Sequence, residues 1–147
     1  MMLRAFSIFV ACSLLAVFAH TQAPSVAQPA AQDADWPLFR GDPLQTGVAK
    51  TKLPDKLEIR WKIDLKKGIE STAAIVKDTV YVGCYDEHLH AYDLKTGALK
   101  WKTKLGPIKA PPSFYQDKIF VGDEDGMFYC VDAVKGTKIW DFERARG

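Results

Sequence analysis

Ala91-Tyr92-Asp93-Leu94-Lys95-Thr96-Gly97-Ala98-Leu99-Lys100-Trp101 returns as Cys130-Val131-Asp132-Ala133-Val134-Lys135-Gly136-Thr137-Lys138-Ile139-Trp140. Asp93 recurs as Asp132, Gly97 as Gly136 and Trp101 as Trp140. Upstream, Val82-Gly83 recurs as Val121-Gly122 and Asp86 as Asp125, every pair 39 residues apart. Five pairs in one fixed register mark an internal repeat, the signature of an array of like supersecondary units. Each part of the motif has a physical use. The Asp carboxylate can accept hydrogen bonds within a turn, and the Gly can take the positive φ that a four-residue connection demands. The Trp then opens a strand with a flat apolar surface fit to pack on a neighbouring unit.

Working outward, each unit divides into four short strands. The first is predicted as Ser71–Val76, Thr79–Cys84, His88–Asp93 and Leu99–Leu105. The second is predicted as Ala110–Phe114, Lys118–Gly122, Met127–Asp132 and Lys138–Phe142, with tight turns at Lys77-Asp78 and Gln116-Asp117. Four strands in about 40 residues is the size of one β-propeller blade. Thr79-Val80-Tyr81-Val82 and Ile119-Phe120-Val121 are apolar or aromatic at successive positions, so both faces of these strands call for burial, as between stacked blades. Blades are therefore expected over 69–106 and 107–147. Trp61 lies one residue out of register with Trp101, and Ile59, Trp61, Ile63 and Leu65 alternate with charged residues. Residues 58–66 are accordingly expected to form the outer strand of a further, partial blade. The fold class is all-β: an incomplete propeller of antiparallel four-stranded blades, about two of them plus one strand.

The pattern Ala-x-Asp-x-x-x-Gly-x-x-x-Trp, carried by Ala91, Asp93, Gly97 and Trp101, resembles the tryptophan-docking motif of the pyrroloquinoline-quinone-like (quinoprotein-like) propeller family. The second copy departs in having Cys130 where Ala is usual and Lys135 where Thr is common. The opening stretch Trp36-Pro37-Leu38-Phe39-Arg40-Gly41-Asp42, followed by Thr46-Gly47, resembles the segment that begins such propellers. The resemblance covers Asp35 to the C-terminus. Trp-Asp-repeat propellers are the nearest rival, but they expect Gly-His at each repeat start, and neither unit has it.

The N-terminus adds a destination. Arg4 precedes an apolar run from Ala5 to Ala19, shorter than the roughly 20 residues a bilayer-spanning helix needs. A basic start and a short apolar stretch are the pattern of a secretory signal peptide, here expected over 1–19. Residues 20–34, rich in Ala, Gln and Pro, are expected to be a flexible linker to a domain over 35–147. The mature chain is thus expected to be exported to the periplasm or cell envelope, with no transmembrane anchor after cleavage. Cys84 and Cys130 then remain, at non-equivalent repeat positions, which leaves their pairing open. The net charge of +2, with no basic block, argues for no nucleic-acid partner.

Chemistry is sparse. The resemblance to quinoproteins implies a cofactor stacked on a vicinal disulfide and calcium bound through Glu, Asn and Asp. The chain has no adjacent cysteines and no Asn. No catalytic residue, cofactor or metal is therefore expected. His88 and His90 share a strand face without an apparent third ligand. Asp123-Glu124-Asp125-Gly126 is expected to be a hairpin turn, not a calcium loop, and Arg40-Gly41-Asp42 part of the opening segment. The lysines at 62, 66, 100, 102 and 104 are expected to form a solvated face. The resemblance implies a non-enzymatic scaffold with protein partners, alternatively the N-terminal part of a quinone-dependent dehydrogenase. Closed propellers need at least four blades, so the chain is expected to belong to a longer product with downstream blades, or to self-associate.

Overall fold

The computed structural model describes residues 35–143; the expected signal peptide and linker lie outside them. Among the described residues there is no helix, and eight strands follow one another in sequence. They are β1 (Ala74–Val76), β2 (Thr79–Gly83), β3 (His88–Asp93), β4 (Leu99–Lys104), β5 (Ser113–Tyr115), β6 (Lys118–Gly122), β7 (Met127–Asp132) and β8 (Lys138–Glu143). They form two four-stranded antiparallel meanders, β1-β2-β3-β4 and β5-β6-β7-β8.

The repeat extends to register. Thr79 pairs with Asp93 as Lys118 pairs with Asp132, and both sheets slip register at the same place, Ala91/Tyr92 and Cys130/Val131. Such a bulge bends its strand and re-aims the side chains that follow. Gln116 and Asp117 both take positive φ, as the mirror-image turns that match strand twist require.

Two expected strand starts shift and one expected strand is absent, each for a local reason. Ser71 donates its hydroxyl to the Gly83 carbonyl (3.1 Å) in place of a backbone ladder bond, and β1 begins at Ala74. Pro111 and Pro112 have no N–H to give, so β5 begins at Ser113. Residues 58–66 form no strand, because nothing among the described residues pairs with their backbone. Their alternation survives in burial alone: Trp61, Ile63 and Leu65 are half-buried while Lys62 and Asp64 are exposed.

Burial is concentrated in the middle strands. Leu89, His90, Ala91 and Tyr92 are buried in succession, so both faces of β3 are covered, whereas all of β8 is exposed. One core runs through both sheets, joining Ala74, Tyr81, Leu89 and Ala91 to Ile119, Val121, Tyr129 and Val131. The N-terminal segment ties the sheets together. Trp36 exchanges two backbone hydrogen bonds with Ile75 of β1 (2.6 and 2.9 Å), and the next residue accepts one from Phe114 N of β5 (2.7 Å). Ile108, on the connection between the sheets, is fully buried and lies over Gly83, where any β-carbon would collide with it. Ile108→Ala should therefore destabilise the chain by about 2–5 kcal/mol, read as a lower urea midpoint, since a cavity opens at the joint between sheets. A midpoint within error of wild type would show that Ile108 is not a joint.

Candidate functional site: docking turns, the open blade face and the β2–β3 loop

The Asp-x-x-x-Gly stretches fold as self-satisfied turns. Asp93 Oδ1 accepts from Lys95 N (3.1 Å), Thr96 N (2.8 Å) and Thr96 Oγ1 (2.8 Å), and Gly97 N donates to Asp93 O (2.8 Å). Asp132 Oδ1 accepts from Val134 N (2.9 Å) and Lys135 N (2.7 Å); Lys135, standing where Thr96 does, brings no hydroxyl. The hydrogen bonds from Thr96 hold the Asp93 carboxyl below its ordinary pKa, and those from the Lys135 and Val134 amides do the same for Asp132.

Each turn is capped by a tryptophan from the preceding unit. Trp61 lies over Gly97 (φ +73°) and donates Nε1–H to Leu94 O (3.0 Å). Trp101 lies over Gly136 (φ +71°) and donates to Ala133 O (3.1 Å), with Thr103 Oγ1 donating to Gly136 O. A β-carbon would fall 2.8 Å from the Trp61 ring at Gly97 and 2.6 Å from the Trp101 ring at Gly136. Ala91 and Cys130 are fully buried beneath.

Among the described residues Trp140 has no such turn against it. It packs with Phe120 and Phe128, each ring pair 6.1 Å apart, and remains 42 % exposed. Ile139 and Phe142 beside it are also exposed. The face around β8 is thus an open aromatic surface.

Asp123 accepts from Met127 N (2.9 Å) and Tyr129 Oη (2.7 Å), with its loop turning at Gly126 (φ +91°). Asp42 takes up Leu44 N (2.8 Å) and the Thr46 hydroxyl within its own turn. Of the outer-strand lysines, Lys100 is not simply solvated: Nζ reaches Thr79 Oγ1 (2.7 Å) and Asp78 Oδ1 (3.1 Å). Cys84 and Cys130 are free, buried thiols in different sheets.

One cluster escaped the reading of the sequence. The side-chain ligand atoms of Cys84, Asp86 and His90 lie within 4.8 Å of one another. His88 and His90, read as sharing a face without a third ligand, both approach Asp86: His88 turns its Nδ1 to Asp86 O (2.7 Å) and lies 3.7 Å from Oδ2, while His90 Nε2 meets Oδ2 (2.9 Å). The signal lay in the repeat itself, because Cys84 and His90 occupy the positions of Asp123 and Tyr129.

Two stacked meanders, with Trp61 and Trp101 each seated on the turn of the next unit, define a segment of β-propeller. The chain belongs to the PQQ-like repeat family described as outer membrane protein assembly factor BamB, which matches residues 55–147. Among curated relatives it is 24 % identical to the quinohemoprotein alcohol dehydrogenase of Comamonas testosteroni, covering 80 % of this chain and 20 % of that protein. It is 27 % identical to the outer membrane protein assembly factor BamB of Salmonella typhimurium, covering 54 % and 20 %. Among solved structures, the Comamonas testosteroni enzyme superposes with a TM-score of 0.69 at 23 % identity, covering 78 % of this chain and 20 % of that one. BamB from Moraxella catarrhalis gives 0.55 at 24 % identity, covering 60 % and 28 %. The chain thus spans about a fifth of the length of these curated relatives.

The docking geometry sets two expected outcomes. Gly136→Ala forces a β-carbon onto the Trp101 ring at positive φ and should cost about 1–3 kcal/mol. Trp101→Phe removes the indole donor while Tyr81 Oη still donates to Ala133 O (3.2 Å), so its cost should be smaller, about 1 kcal/mol. Urea unfolding followed by circular dichroism checks both, and a neutral Gly136→Ala would show that the ring does not rest on this turn.

Proposed function

We propose that the chain is an exported, non-enzymatic propeller scaffold that binds protein partners through its loops and rims. The observation that carries this reading is the family match over residues 55–147, to a family described by an assembly factor. The β8 face is separate from those binding surfaces: Trp140 with Phe128, Ile139 and Phe142 presents apolar surface that calls for a cover. Trp61 and Trp101 each seat on an Asp-x-x-x-Gly turn, so a further blade supplying such a turn is the occupant that fits Trp140. Envelope localisation follows from the basic-then-apolar N-terminus.

The longer alignment with the Comamonas testosteroni enzyme favours a second reading, the N-terminal part of a quinone-dependent dehydrogenase. The donor set weighs against cofactor binding by these residues. The chain has no adjacent cysteines and no Asn, and its two buried thiols belong to separate sheets. These residues do not fit that cofactor.

The purified chain, supplied with pyrroloquinoline quinone and Ca²⁺, should take up no stoichiometric quinone by equilibrium dialysis. A photo-crosslinker replacing Asp125, exposed in the β6–β7 loop, should give discrete protein adducts in the envelope of the native host. Saturable one-to-one quinone uptake without such adducts would overturn the scaffold reading and leave the dehydrogenase one.

A further inference from the structure

We propose that Cys84, Asp86 and His90 form a zinc-type metal site in the β2–β3 loop of the first blade. Thiolate, imidazole and carboxylate are the donors that a borderline divalent ion such as Zn²⁺ accepts, and three protein ligands leave a fourth position for water. Cys84 follows the last residue of β2, Asp86 sits in the loop and His90 lies on β3, so one hairpin brings all three together. Their ligand atoms fall within 4.8 Å of one another. Cys84 and His90 are buried, while the Asp86 side chain is 23 % exposed and marks the route from solvent.

The surroundings supply what such a site needs. Tyr92 Oη lies 3.1 Å from His90 Nδ1 and can accept a hydrogen bond from Nδ1–H, the tautomer that leaves Nε2 free for the ion. A thiolate and a carboxylate balance the two charges of the ion. In the metal-free state the buried Cys84 thiol points its hydrogen at Gly68 O (3.5 Å). Asp86 Oδ2 accepts from His90 Nε2 (2.9 Å), so the carboxylate already faces the imidazole nitrogen it would share an ion with. Binding sends the thiol proton to solvent as the S–metal bond forms, and the His90 hydrogen held on Nε2 against Asp86 moves to Nδ1, facing Tyr92 Oη.

The second blade is the internal control. There the corresponding loop is closed by Asp123 bonded to Tyr129 and to Met127 N, with neither thiol nor imidazole. The hairpin thus closes without the cysteine and the histidine, and their presence in the first blade is not a demand of the fold.

The test is titration of the freshly reduced full-length chain with Co²⁺ and then Zn²⁺, followed by absorption. One equivalent of Co²⁺ should bring a near-ultraviolet thiolate-to-metal band and strong visible bands of four-coordination, both erased by Zn²⁺. Cys84→Ser should abolish the thiolate band, and Asp86→Asn should weaken zinc binding about tenfold or more. Cys130→Ser should leave binding unchanged. His90→Gln keeps a hydrogen-bond donor toward Asp86 and should remain folded by circular dichroism while losing stoichiometric zinc. Absence of the thiolate band in the wild type would overturn the site. So would its survival in Cys84→Ser, its loss in Cys130→Ser, or undiminished zinc binding in a folded His90→Gln.

Discussion

An indole ring laid over a glycine holds the two sheets in sequence. Trp101 can lie flat on the second turn because Gly136 has no β-carbon and because positive φ opens the turn toward it. The same indole gives its N–H to a turn carbonyl, and Asp132 takes up the turn amides from the other side. No polar group is stranded as the ring excludes water, so the contact gains apolar burial without the cost of an unmade hydrogen bond. Trp61 and Gly97 repeat the arrangement one unit earlier. Each unit is thereby tied to the next by residues near its own outer strand.

That linkage explains where the apolar residues go. With neighbouring units held face to face, the middle strands have no wet side, and β3 buries four successive residues, including His90. The outer strands pay no such constraint and carry lysines, one of which, Lys100, is drawn back across the sheet to Thr79 and Asp78. It also explains the aromatic character of β8. Trp140 occupies the position of Trp101 with no turn beneath it among the described residues, and Phe120 and Phe128 gather around it in partial compensation.

The architecture was legible because the repeat places turn-forming and ring-bearing residues in one register. The bounds of β3, β6 and β7 follow directly from it, since Asp or Gly punctuates their ends. Residues 58–66 misled because alternation records which side chains face a core, whereas a strand is defined by backbone partners that the pattern does not report. The Cys84–Asp86–His90 cluster was hidden for a different reason. Spacing along one strand pointed to His88 and His90 as a pair, yet convergence is made across a hairpin, where the loop carboxylate and the end of β2 meet β3. Same-face spacing gives proximity along a strand and says nothing about which ring turns inward.

Internal repetition offers a way around that blindness. Two units with one backbone pose the same local problem twice, and agreement between their answers marks what the fold requires. Asp and Gly agree at both turns, and those positions carry the docking geometry. At the β2–β3 loop the answers differ. One blade closes it with Asp123 and Tyr129, a neutral phenol on a carboxylate; the other uses Asp86 and His90 with Cys84 alongside. Both leave no buried side-chain polar atom without a partner among the described residues. Stability alone therefore does not choose between them. What distinguishes the first blade is the coordination chemistry of sulfur and imidazole, which packing and hydrogen bonding leave unused.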